Sequence, residues 1–201
     1  MRGTLQLISQ GKLFRRVFAI ALQVLAVVIG LVGVVVWIET WGHVVDVLPP
    51  GILGGIIFQM LFVVAVYMIV HTLLIRAKDI TQLPESEFTV IPIVGIFLKL
   101  IGEVIACYGI FIAVAGGILL WFAGPGADSV LKQVAPFLPD PDSEPFGGGV
   151  LLMVIGAIVA FFSLVFFYLL SELVVVWVAI AKNTEVTRHI AEQYDKTKVT
   201  P

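Results

Sequence analysis

Lys99 and Glu103 lie inside GIFLKLIGEVIACYGIFIAVAGG, residues 95–117, an otherwise apolar stretch of a 201-residue chain. Four positions apart, they are neighbours on one helical face, and pairing would lower the cost of taking either charge into hydrocarbon. Glu172, His71 and Gln23 stand in similarly apolar surroundings. Such a set has two chemical uses. Glu103 and Glu172 could pass protons or ions, with Lys99 as counter-charge and His71 as a switch near neutral pH. Alternatively, the five groups could hydrogen-bond to one another and fix how helices meet.

The elements that must position these groups follow from composition. Apolar residues make up 60% of the chain and charged residues 13%, with a mean hydropathy of +1.09. A soluble domain is about half apolar and a quarter charged. Four runs carry the excess, 17–38, 52–75, 91–122 and 150–181, each at or above the roughly 20 residues that cross a bilayer as a helix. A β-barrel would need alternating segments about ten residues long, and these runs do not alternate. The expected fold is therefore all-α and integral to the membrane, one domain of four transmembrane helices followed by a tail at 182–201. The first run is longer than a signal-peptide core and lacks a small-x-small cleavage site before Glu39, so it reads as a retained anchor. Ahead of it, Leu5, Leu7, Ile8, Leu13 and Phe14 suit a short helix on the membrane surface.

Basic residues orient the chain. Arg2, Lys12, Arg15, Arg16, Arg76, Lys78, Lys182, Arg188, Lys196 and Lys198 occupy the N-terminus, the middle connection and the tail, whereas the other two connections hold Lys132. Both termini are thus expected in the cytoplasm, and Trp37, Trp41 and Trp121 at the outer ends of the spans. On a rise of about 1.5 Å per residue, Glu103 lies roughly 16 Å past Pro92, Glu172 roughly 15 Å above Lys182, and His71 roughly 8 Å above Arg76. That puts Gln23, His71, Lys99, Glu103 and Glu172 in one layer between the inner surface and the midplane. An unpaired charge there costs about 2.5 to 3.5 kcal/mol, so the layer is expected to be a buried polar cluster.

Small residues mark where helices would meet. Gly102, Ala106, Gly109, Ala113 and Gly117 recur along one stripe of the third span, Gly156 and Ala160 along the fourth, and Gly30 and Gly33 along the first. In lipid such stripes let backbones approach closely. A loose repeat relates the halves, with Arg76-Ala77-Lys78-Asp79 matching Ile180-Ala181-Lys182-Asn183 and Gly33 with Trp37 matching Gly117 with Trp121. It suggests two tandem helix pairs. The second outer connection is the longer. Its Val130, Leu131, Val134 and Leu138 share a helical face suited to the outer membrane surface, and Asp140, Asp142 and Glu144, interrupted by Pro141 and flanked by Pro139 and Pro145, suggest a stiff acidic tip without EF-hand spacing.

Other chemistry finds little support. Cys107 is a lone thiol with no metal-type spacing, His71 has no second intramembrane histidine to share a haem, and phosphate-loop, HExxH and nucleophile-elbow patterns are missing. No enzyme activity, metal or cofactor is expected. A net charge of -2 without a basic block offers nucleic acid no footprint.

One stretch is similar to a known family. SELVVVWVAIAKNTEVTRHI, residues 171–190, resembles the last helix of small bacterial membrane proteins of unknown function, a two-helix unit with a Gly-rich outer turn and a closing Glu-Leu, apolar run, Ile, Asn pattern. Glu172, Leu173, Ile180 and Asn183 hold those positions, Gly147 to Gly149 match the turn, and the resemblance covers residues 93–190. Tyr168 departs from it, standing where the family tends to have a basic residue, and the first half matches poorly, with Met68 opposite Glu172. The family carries no activity to transfer.

Past Ala181 no helix breaker appears before Pro201, and Ile180, Thr184, Thr187, Ile190 and Tyr194 continue one face, so the fourth helix is expected to project as a docking element. The expected function is a non-catalytic structural or accessory subunit of a complex in the bacterial cytoplasmic membrane. Its partners would be lipid and other membrane subunits or further copies of itself. The alternative is a small proton or ion transporter using Glu103 and Glu172.

Overall fold

The computed structural model describes residues 12–45, 49–83, 90–136 and 145–199. All of its regular structure is helical, and four helices are long and apolar enough to cross a membrane. Helix α1 (Lys12–Val45) packs along α2 (Pro49–Thr81). The third span is composite: α3 (Val90–Phe111), a π-helical turn (Ile112–Gly116) and α4 (Gly117–Ala123). It lies between α2 and α6 (Pro145–Val199). Each helix outruns its apolar stretch because helical backbone satisfies its own hydrogen bonds, so the chain stays helical into the headgroup region. The proposed surface helix at Leu5, Leu7 and Ile8 and the acidic tip at Asp140, Asp142 and Glu144 lie outside the described residues.

Two apolar clusters hold the spans together. Near the tryptophans, Phe111 packs against Phe58 and Phe62 with ring centroids 5.2 and 5.6 Å away, beside Leu119 and Leu120. Toward the basic end, Leu22, Leu73, Ile80, Ile93 and Leu100 interlock, and Phe18 meets Phe97 edge-on at 5.7 Å. The small-residue stripe of the third span faces α6. A Cβ added at Gly102 would lie 2.8 Å from that of Phe167, and one at Gly156 2.6 Å from that of Ala113.

At the tryptophan end, Gly124 (φ 55°) turns the chain from α4 through Gly-Pro-Gly into α5 (Ala127–Val134). That backbone conformation suits glycine, which has no Cβ to clash. Helix α5 corrects the sequence expectation. Val130 and Leu131 are buried in the protein core instead of resting on a membrane surface. Gln133 donates to Glu39 of α1 at 3.0 Å, and Tyr108 of α3 donates to the Val134 carbonyl. Leu138, the fourth member of that face, is outside the described residues.

Candidate functional site: an interhelical clasp

Among the described residues the Glu103 carboxylate accepts three hydrogen bonds from two other helices. Arg76 of α2 grips it through two nitrogens, Nε to Oε2 at 2.9 Å and Nη2 to Oε1. Tyr168 of α6 donates its hydroxyl hydrogen to the same Oε1 at 2.5 Å and accepts from Arg76 Nη2 at 3.2 Å. The remaining Arg76 nitrogen, Nη1, donates to Asp79 Oδ2 at 2.8 Å. Three helices are thus tied at one height. A guanidinium is suited to the task because its N–H groups match both carboxylate oxygens at once.

Lys99 does not pair with Glu103 as the four-residue spacing suggested. Its ammonium lies 5.4 Å above the Tyr168 ring centroid, a cation–π contact. The arginine takes the carboxylate bidentately and leaves the lysine one turn away on the tyrosine face.

The expected five-member buried cluster is corrected in three places. Gln23 is exposed on α1, Glu172 on α6, and His71 on α2, where its ring stacks on Tyr67 at 5.8 Å. Lys99 and Glu103 are half-buried. Residue counts along a helix give height, but the direction a side chain faces depends on where neighbouring helices dock. Leu22 beside Gln23 is buried, as are Ile69 and Leu73 around His71, so the polar residues fall on the outer faces.

Along the third span Trp121 is 18 residues from Glu103, or about 27 Å at the helical rise.

The predicted packing residues lie largely at helix contacts. Gly33 faces Val66, Gly109 faces Ala160, and Gly117 approaches Met153 and the Gly149 carbonyl. Ala113 and Ala160 are buried, while Gly30 and Ala106 are half-buried.

Three functional-looking side chains escaped the sequence reading. Arg76 and Asp79 registered only as a charged helix end, although their three-residue spacing fits an intrahelical ion pair. Tyr168 registered only as a departure from a family pattern. Near the ends, two further buried polar groups recur. Gln59 donates to the Trp37 carbonyl at 3.2 Å, and Arg15 donates to the Leu83 carbonyl at 2.6 Å. Among the described residues, no group of three or more His, Cys, Asp or Glu is placed to hold a metal.

No protein-family model, curated protein or solved structure matches the chain. The functional argument therefore rests on geometry. A carboxylate held by a guanidinium on both oxygens, with a phenol filling a further lone pair, is a fixed junction. The clasp can set the register and tilt of α2, α3 and α6.

Proposed function

We propose that this chain is a non-catalytic structural or accessory subunit of a complex in the bacterial cytoplasmic membrane. In this reading both termini are cytoplasmic, and α1 with α2 and α3 with α6 form two tandem helix pairs. The observation that carries it is the course of α6. Gly95, near the start of α3, is close to Ser171, yet α6 continues to Val199. The residues from Ala179 to Gln193 are exposed on every side.

In proteins most helical stability comes from tertiary packing of a helix face and little of it from propensity. The projecting stretch contains Asn183, Thr184, Val186, Thr187 and Ile190, all weak helix formers. Packing against a partner would supply the missing stability. The clasp supports the same reading over the transporter alternative, because Glu103 is engaged by Arg76 and Tyr168 while Glu172 faces outward.

The test is truncation after Ala181. The membrane part should keep its thermal stability, since the deleted residues contribute no buried surface among those described, while the native mass in mild detergent should fall to that of the isolated chain. An unchanged native mass would remove the docking role. Orientation is checked separately. A reporter active only in the periplasm should work when fused after Asp142 and fail after Lys198, and the reverse pattern would invert the topology.

A further inference from the structure

Arg15 ends the buried stripe of α1. That stripe runs through Arg15, Ala19, Leu22 and Ala26 at spacings of four, three and four residues, and all four are buried. Three of them are apolar, whereas Arg15 carries a full charge at 8% exposure. Its Nη1 donates to the carbonyl of Leu83, two residues past α2, at 2.6 Å. Nε and Nη2 are enclosed and have no hydrogen-bond partner. These two nitrogens form one edge of the guanidinium, and the same edge of Arg76 holds both oxygens of Glu103. Arg15 thus presents an unfilled two-donor fork whose geometry fits an oxyanion.

The helices around Arg15 supply no counter-charge among the described residues. Glu39 is the one acid of α1 and lies 24 residues away, about 36 Å along the helix. Helix α2 carries Asp79 alone, held by Arg76 Nη1 at 2.8 Å. The one acid of α3 is Glu103, committed to Arg76 and Tyr168. Exposed Arg16 and Lys78 add positive charge at the same end. A buried charge is ordinarily paired and its N–H groups bonded, so the missing partner is an anion from outside these helices.

We infer that Arg15 holds a phosphate oxyanion at the junction of α1 with the end of α2. Two properties favour phosphate. Its oxygens accept two parallel N–H bonds from one guanidinium edge. Phosphate is also the anion that a bilayer supplies in quantity at the ends of spanning helices, and basic pockets between such helices take phospholipid head groups. Arg15 sits just ahead of the apolar run 17–38, and Leu83 lies beyond the run 52–75. The fork is therefore at the end of the bundle, where a head group can reach it. A phospholipid and phosphate in solution present the same chemistry to this edge. Bound there, the anion would complete the tie between α1 and the chain leaving α2 that the Leu83 hydrogen bond begins.

The test is thermal unfolding of the delipidated chain in an uncharged detergent, titrated with phosphatidylglycerol or with inorganic phosphate. Diacylglycerol of the same acyl chains and chloride at equal ionic strength are the respective blanks. A ligand at 100 times its Kd should raise the melting temperature by about 5 to 10 °C. Arg15→Lys keeps the charge but loses one of two charge-assisted hydrogen bonds, which should weaken the apparent affinity by about tenfold or more. Arg15→Gln, which can still donate to Leu83 without the charge, should lose the response, and Arg16→Gln should keep it. A response to phosphatidylglycerol alone assigns the anion to lipid, and a response to inorganic phosphate as well assigns it to phosphate from either source. No response of the native chain to either ligand overturns the inference, as does an equal loss in the Arg15 and Arg16 variants. So does a double change, Glu85→Gln with Glu87→Gln, that destabilises the native chain but not the Arg15→Lys chain, because the fork would then hold a carboxylate of the chain itself.

Discussion

Replacing Glu103 with Gln should lower the melting temperature in detergent by roughly 5 to 10 °C, and replacing Arg76 with Met at the same time as Glu103 with Leu should restore most of the loss. The single change leaves a guanidinium facing an amide in place of a carboxylate. Breaking a fully buried pair costs about 3 to 5 kcal/mol. Both side chains here are 19% exposed, so the expected cost is smaller, about 2 to 3 kcal/mol. A chain of this size loses about 2 to 4 °C for each kcal/mol. The double change removes both partners and substitutes apolar volume, which is commonly neutral or better. A double variant as unstable as the single one would show that the pair is not what joins the helices. Lys99→Met should cost far less, about 0.5 to 1 kcal/mol, because it removes one cation–π contact.

The same pair of variants bears on transport. If Glu103 carried protons, Glu103→Gln would abolish flux in a protein that still assembles. A clasp predicts the opposite balance, lost stability with no flux at any stage above that of empty liposomes. The bidentate arginine favours the clasp, since a carboxylate committed to a guanidinium gives up little to passing protons.

How much of this was legible in the sequence depended on the kind of information each feature needs. Span number came directly from the apolar runs, because hydrocarbon thickness fixes a minimum length and composition fixes the rest. The packing glycines were legible because a close approach between helices demands small residues at helical spacing, and that demand is local. Azimuth was not. Gln23, His71 and Glu172 share an approximate height with Glu103, yet the docking of α1 on α2 and of α3 on α6 turns them outward. Arg76 was hidden for a related reason. It ends an apolar run and so reads as an orientation signal, while its partner, Glu103, lies 27 residues later on another helix. The face of α5 was visible in the sequence, but whether a membrane or a protein core would cover it depended on the turn at Gly124 and on the Glu39 end of α1.

The packing of α6 on the third span sets up the other large effect. Gly117→Leu and Ala113→Leu should each destabilise the protein by about 3 kcal/mol, the upper part of the range for overpacking. At Gly117 the obstacle includes backbone, since an added Cβ would lie 2.8 Å from the Gly149 carbonyl oxygen and 2.7 Å from the Met153 side chain. A side chain can rotate away, but a carbonyl on a packed helix moves only if the helix moves. Ala113 already opposes Gly156 at a separation that leaves no room for a second methyl. Prying α6 away would also pull Tyr168 from Glu103, so the damage should extend to the clasp and be less than additive with Glu103→Gln. Gly42→Ala is the matched control. Nothing lies within 4 Å of a Cβ there, and alanine is the better helix former by about 0.5 to 1 kcal/mol. That variant should be as stable as the parent or slightly more so. Thermal unfolding of all three in one detergent decides the matter, and a Gly117→Leu protein that melts with the control would mean that α6 does not pack on the third span.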